Sequence, residues 1–209
     1  MLRGMTVEVW FEFASTYSYP AMMRVERVAA DTGVSIQWRP FLLGPIFQAQ
    51  GWDNSPFNIY PAKGRYMWRD LERLCEAQGI GWRRPSVFPR GSLLASRIAC
   101  RFADAPWVSA FIRDVYESNF VRDEAIGEPT VIAQCLERTG QDPHAVMEVA
   151  QAPSVKELLR QQTERAMRLG IFGAPTLVVG GDELFWGNDR IEQAMAWHTR
   201  PSKQVAPIG

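Results

Sequence analysis

The chain has 209 residues, 46% of them apolar, which suits one compact domain or one domain carrying an insertion. Lysine plus arginine and aspartate plus glutamate each total 23, a balance that argues against binding nucleic acid by phosphate neutralisation. The uncharged runs at 40–52 and 169–181 contain glycine and proline and are too short to span a bilayer. Glu8 and Glu12 interrupt the start of the chain where a secretory signal needs an apolar core. A cytoplasmic protein with neither nucleic-acid nor membrane partners is therefore expected.

In chain order, Val7, Val9, Phe11 and Phe13 alternate with other residues, which predicts a strand over 7–13. A turn-like stretch from Ala14 to Ser18 leads into a helical pattern with Met22, Val25, Val28 and Ala29 on one face, stopped by Gly33. Val34, Ile36 and Trp38 mark a second strand over 34–42. Strand, helix and strand so close together make a βαβ unit with a right-handed crossover. The middle of the chain is helical. Met67, Leu71, Leu74 and Cys75 keep helical spacing, as do Trp107, Phe111, Ile112 and Val115, and then Val155, Leu158, Leu159 and Ala166. Gly79, Gly140 and Gly170 offer left-handed stops. Strands return at 176–180 and 183–186 around the turn Gly180-Gly181-Asp182, followed by a helix from about Asp189 to Trp197. Beyond Thr199 the tail lacks periodicity and is expected to fray.

The order βαβ, helical block, ββα is that of an α/β thioredoxin-like fold with a large all-helical insertion. Residues 1–60 and 171–199 form its discontinuous body, 61–170 the insertion and 200–209 the tail. The three cysteines are odd in number and form no CxxC, so neither a disulfide framework nor a zinc site is suggested. His144 and His198 are the only histidines, and both fall at helix ends, one at a start after Asp142-Pro143. No metal cluster, Ser-His-Asp triad, GxSxG elbow or Walker loop is expected. Whatever chemistry occurs runs without histidine.

Thioredoxin-fold oxidoreductases carry a CxxC where the first strand meets the first helix. This chain has Ser15-Thr16-Tyr17-Ser18 there, and Gly173-Ala174-Pro175-Thr176 at the place of the facing cis-proline. With FEFASTYSYPA, NSPFNIYPAKGRYMWRDLER, FGAPT and FWGNDR in this order, residues 6–198 resemble the serine branch of the DsbA-like family. That branch holds the kappa-class glutathione transferases and the bacterial 2-hydroxychromene-2-carboxylate isomerases. Thr16 departs from the family's proline after the serine but leaves the Ser15 hydroxyl in place. Pro20 is acceptable in a first helical turn, where its missing N–H has no partner to lose.

A serine at a helix start is, taken alone, an N-cap worth about 1 kcal/mol. A helix N-terminus also favours anions, and a thiol needs such help to ionise near neutrality. The turn holds no cysteine, so the thiol has to come from a ligand. The resemblance implies glutathione, with Ser15 donating to its thiolate as the catalytic residue. Pro175, if cis, would present the Ala174 backbone to the extended tripeptide as an added strand does. Asn188 and Asp189 open the last helix. They either cap it, with Asp189 and Glu192 at capping-box spacing, or grip the γ-glutamyl end as the family's matching pair does. Asn54 and Lys63 match the family's glutathione-contacting asparagine and lysine, with Lys63 on a carboxylate; otherwise Lys63 is a solvated surface lysine. Tyr17, Phe57, Tyr60, Trp68 and Trp186 belong either to the core or to a pocket for flat aromatic substrates.

The resemblance thus implies a glutathione-dependent cis–trans isomerase of an aromatic conjugated small molecule, active in aromatic-hydrocarbon degradation as a homodimer. Its alternatives are a kappa-class-like transferase or peroxidase using the same site, and a redox-inactive thioredoxin-like binding module. Thiol–disulfide exchange is excluded, because neither Ser15 nor Ser18 can form a disulfide.

Overall fold

A computed structural model describes residues 6–200. Strand β1 (Thr6–Phe11) buries Val7, Val9 and Phe11 on one face and Trp10 on the other, so both faces of the strand are covered. Helix α1 (Ser18–Thr32) follows and stops at Gly33, whose φ of 69° and N–H bonds to the Ala29 and Ala30 carbonyls close the helix. Strand β2 (Ser35–Pro40) pairs parallel with β1. Strand β3 (Thr176–Val179) pairs antiparallel on the other side of β1, and β4 (Glu183–Trp186) pairs antiparallel with β3. The sheet order is β2-β1-β3-β4. This is the thioredoxin-like arrangement that the element order predicts.

Between β2 and β3 the regular elements among the described residues are all helices. These are α2 (Leu43–Ala49), α3 (Pro56–Ile59), α4 (Pro61–Gln78), α5 (Leu93–Arg101), α6 (Val108–Phe120), α7 (Pro129–Arg138), α8 (Pro143–Gln151) and α9 (Pro153–Arg168). A 3₁₀ turn (Asn188–Arg190) and helix α10 (Ile191–His198) close the described chain. None of its helices is long and apolar enough to cross a membrane.

One hydrophobic cluster joins β1, α1 and α10 to Leu71, Phe111, Tyr116 and Leu136 of the helical block, so the two parts share a core. On the opposite sheet face Trp10 and Val178 pack with Phe41, Ile46, Ala166 and Ile171.

Both early strands end sooner than their hydrophobic pattern predicts. The Ser15 amide donates to the Glu12 carbonyl at 3.0 Å, turning the chain out of β1 before Phe13. Past Pro40 the Phe41 amide makes one more bond to the Phe11 carbonyl at 3.1 Å, and the Leu42 amide then leaves the sheet for the Thr163 hydroxyl at 3.2 Å. The last helix begins at Ile191 and not Asp189, because the preceding residues wind as a tighter 3₁₀ turn. The tail expected to fray lies, from residue 201, outside the described residues, as do residues 1–5 of the first segment.

Candidate active site

Ser15 sits in the turn between β1 and α1. Its hydroxyl donates to the Ala174 carbonyl at 2.9 Å and accepts from the Ser18 amide at 3.3 Å. The serine therefore does two things at once. It caps the first turn of α1, and it bridges to the loop before β3, where the Ala174–Pro175 bond is cis, as the sequence leads one to expect. The Pro175 carbonyl accepts from the Gly187 amide at 2.9 Å, which ties that loop to the end of β4.

The rest of the turn is anchored to α4. Buried Thr16 donates its hydroxyl to the Met67 sulfur at 3.0 Å, and the Tyr17 phenol donates to Asp70 at 3.1 Å. Pro20 occupies the first turn of α1, where no backbone acceptor awaits its missing N–H.

The turn opens onto a cavity of about 750 Å³. Of the residues singled out from the sequence, Ser15, Asn54, Lys63 and Ala174 line it. The Asn54 side-chain oxygen accepts from the Ser55 amide at 2.7 Å and from Asn58 at 3.0 Å, so its position at the start of α3 is fixed. Lys63, in the first turn of α4, lies 4.8 Å from the centre of the Tyr60 ring and is otherwise exposed. Gly64 behind it is buried, and a Cβ there would overlap the Phe57 carbonyl oxygen, so glycine lets α3 and α4 meet.

Pro175, Asn188 and Asp189 are not part of the cavity lining. Asn188 is buried and spoken for: its side-chain oxygen accepts from Arg24 at 3.0 Å, and its carbonyl accepts from the same guanidinium. Arg24 also pairs with Glu192. Asp189 is 71% exposed and pairs with Arg190 at 3.2 Å. No side-chain cap bond forms at α10, so the capping-box spacing of Asp189 and Glu192 is not used as one.

Tyr17, Phe57 and Trp186 line the cavity, whereas Trp68 stacks on Trp82 and Tyr60 lies beside Lys63. Phe47, Trp52, Phe88 and Phe172 complete an aromatic wall that the sequence did not reveal. Phe172 and Trp186 meet edge to face at 4.9 Å and are about half exposed at the rim. Phe88 precedes a second cis bond, Phe88–Pro89, in a segment held by buried Arg90.

The cavity also contains an acid. Glu12 is only 6% exposed, and its carboxylate accepts from the Ala14 amide at 2.9 Å and from the Ser92 hydroxyl. Burial outweighs these bonds and pushes its pKa up to about 7. The available signal was a lone charge inside the apolar run VWFEFA, next to the serine. Cys75, Cys100 and Cys135 are buried free thiols raised to between about 11 and about 12 by desolvation, so none supplies a thiolate near neutrality.

Fold and site together define a thioredoxin-like protein in which a serine hydroxyl replaces the attacking thiol, facing a cis-proline loop across an aromatic cavity. The chain belongs to the family of DSBA-like thioredoxin domains, whose model matches residues 6–196. It is 30% identical to human glutathione S-transferase kappa 1 over 216 residues, covering 97% of this chain and 94% of that protein. It is 28% identical to 2-hydroxychromene-2-carboxylate isomerase of Sphingobium xenophagum, covering 90% of this chain and 94% of that protein. A solved structure of a 2-hydroxychromene-2-carboxylate isomerase superposes with a TM-score of 0.78 at 27% identity, covering 92% of this chain and 95% of the other.

Proposed function

We propose that the protein is a glutathione-dependent cis–trans isomerase of the 2-hydroxychromene-2-carboxylate isomerase type, acting on a flat, conjugated aromatic substrate. The observation that carries this reading is the Ser15 hydroxyl, set against the Ala174 carbonyl at one end of the aromatic cavity that Asn54 and Lys63 also line. The donor set fits glutathione: a hydroxyl at a helix start for a thiolate, an ammonium for a carboxylate, and a backbone edge for an extended peptide. When bound, glutathione supplies the thiolate that adds reversibly to the conjugated substrate and leaves after the former double bond has rotated.

The chain's own residues divide the remaining work. Ser15 moves its proton from the Ala174 carbonyl toward the sulfur and, with the N-terminus of α1, favours the ionised form. Asn54 and Lys63 hold the tripeptide on the α3–α4 side, Lys63 through a carboxylate. Ala174 offers its backbone, in the turn that Pro175 fixes. Asp189, exposed outside the lining and beside Arg190, is assigned the γ-glutamyl ammonium where the tripeptide extends past the cavity rim. Asn188, held by Arg24, fixes the turn that carries Asp189. The aromatic wall excludes water from the conjugated system and stacks on it. We assign the protein to aromatic-compound degradation, as a cytoplasmic homodimer.

The test is incubation with 2-hydroxychromene-2-carboxylate, with and without glutathione, followed by ultraviolet absorbance. The expected result is isomerisation only with glutathione present, at a glutathione concentration unchanged after many turnovers. Stoichiometric loss of glutathione would move the assignment to the kappa-class transferase reading.

A further inference from the structure

Glu12 has a geometry that neither capping nor packing requires. It lies in the same turn as Ser15, and its backbone carbonyl accepts the Ser15 amide at 3.0 Å. The same carbonyl accepts the Tyr116 phenol at 2.9 Å, which ties the turn to α6. Its side chain reaches the cavity wall, where Ser15 and Ser92 also stand. Two donors hold the carboxylate, the Ala14 amide and the Ser92 hydroxyl at the start of α5, and no lysine or arginine hydrogen-bonds it among the described residues. The other charged groups of the lining are engaged elsewhere or stand on another of its elements. Arg90 is committed to Asp123, Tyr116 stays protonated because burial raises its phenol, and Lys63 and exposed Asp53 line the α3–α4 side. A carboxylate without a cation is a free proton acceptor.

We propose that Glu12 accepts the proton released when the thiol bound in this cavity ionises, holds it during turnover and returns it on release. The proposal rests on the glutathione reading above. The S–H bond breaks, an O–H bond forms on the Glu12 carboxylate, and the electron pair stays on sulfur for addition to the substrate. Elimination restores the thiolate, and the proton then moves back from Glu12. Nothing is oxidised or reduced. An affinity for protons centred near neutrality suits an acceptor that must also give the proton back. Ser15 cannot serve, because its single proton is the hydrogen bond that stabilises the sulfur.

The test is calorimetric titration of glutathione into the protein at pH 8 in two buffers of different ionisation enthalpy, which counts protons passed to solvent. S-Methylglutathione, which has no thiol proton, is the control. In the native protein the thiolate charge formed in the same cavity lifts the Glu12 carboxyl further above its resting value of about 7. At pH 8 it should therefore hold much of the thiol proton and leave release well below one per glutathione while absorbance shows the thiolate formed. Glu12→Gln should release about one proton per glutathione bound and lower turnover roughly a hundredfold. Ser92→Ala removes a donor that stabilises the carboxylate, and should move the acidic limb of the rate profile to higher pH. It carries the test if Glu12→Gln does not fold. Release of a full proton by the native protein, or an unmoved limb in Ser92→Ala, overturns the proposal. Absence of glutathione binding in the native protein overturns instead the function on which it rests.

Discussion

Replacing Ser15 with alanine separates a catalytic hydroxyl from a helix cap, and the structure sets the size of the effect. Before a ligand arrives, the hydroxyl is already satisfied by the Ala174 carbonyl at 2.9 Å. Turning toward a thiolate exchanges that neutral bond, worth roughly 0.5–1.5 kcal/mol, for a charge-assisted one worth roughly 1.5–3 kcal/mol. The net gain is the difference of the midpoints, about 1.3 kcal/mol, or close to one pKa unit of the bound thiol. Ser15→Ala should raise that pKa by about one unit and lower turnover at neutral pH about tenfold, with recovery as pH rises. Glutathione affinity should fall less, because the contacts proposed for Asn54, Lys63 and Asp189 fall on other parts of the tripeptide. The cap contributes little, since the Ser18 amide lies at the long distance of 3.3 Å. The assay is a pH titration of bound glutathione by ultraviolet absorbance, paired with rates at the same pH values. A lowered melting temperature with unaltered rates at every pH would refute the mechanism and leave Ser15 a cap.

Glu12 keeps its proton in the fold to about 7, well above the ordinary carboxyl value, so the unfolded chain ionises first as pH rises. Stability should therefore fall by roughly 3 kcal/mol between pH 4 and pH 8, and denaturant titrations of Glu12→Gln should lack that fall. Asp123 behaves oppositely. The Ser86 amide and Arg90 hold it down to about 2, so its contribution is present at neutral pH and lost as pH drops through that value. Arg90→Met breaks this pair and strips the Glu124 carbonyl of a 2.8 Å donor. The cost in urea unfolding should be about 3 kcal/mol, at the low end for a buried pair because Asp123 keeps some solvent. Gly64→Ala should cost about 1–3 kcal/mol by driving a methyl group into the Phe57 carbonyl. It should also weaken glutathione binding by calorimetry, because Asn54 and Lys63 flank that contact.

Strands were legible in this sequence wherever side chains alternate between a covered and a less covered face, as Val7 and Val9 do around Glu8. Their ends were not, because β2 stops where Leu42 finds Thr163, far away in the chain. Helix α2 carries no heptad-like stripe and buries only Ile46, so periodicity had nothing to register. Ser15, Asn54, Lys63 and Ala174 were found through motif blocks and do meet at one cavity. The aromatic wall escaped because Phe47, Phe88 and Phe172 come from separate segments that only tertiary packing gathers. Glu12 escaped for a related reason. It follows a strand of alternating residues, and its burial depends on Ser92 and Tyr116, which arrive from α5 and α6.

Helix α4 acts as a ruler. Lys63, Met67 and Asp70 stand four and then three residues apart, so they fall along one side of the helix and reach the cavity, Thr16 and Tyr17 in turn. Losing a single residue between Lys63 and Met67 would swing the ammonium about 100° around the helix axis while the serine turn stayed put. Related chains are thus free to vary α4 in length beyond Cys75, its last buried residue, but not ahead of Asp70. Insertions and deletions sampled along this helix should survive only on its far end.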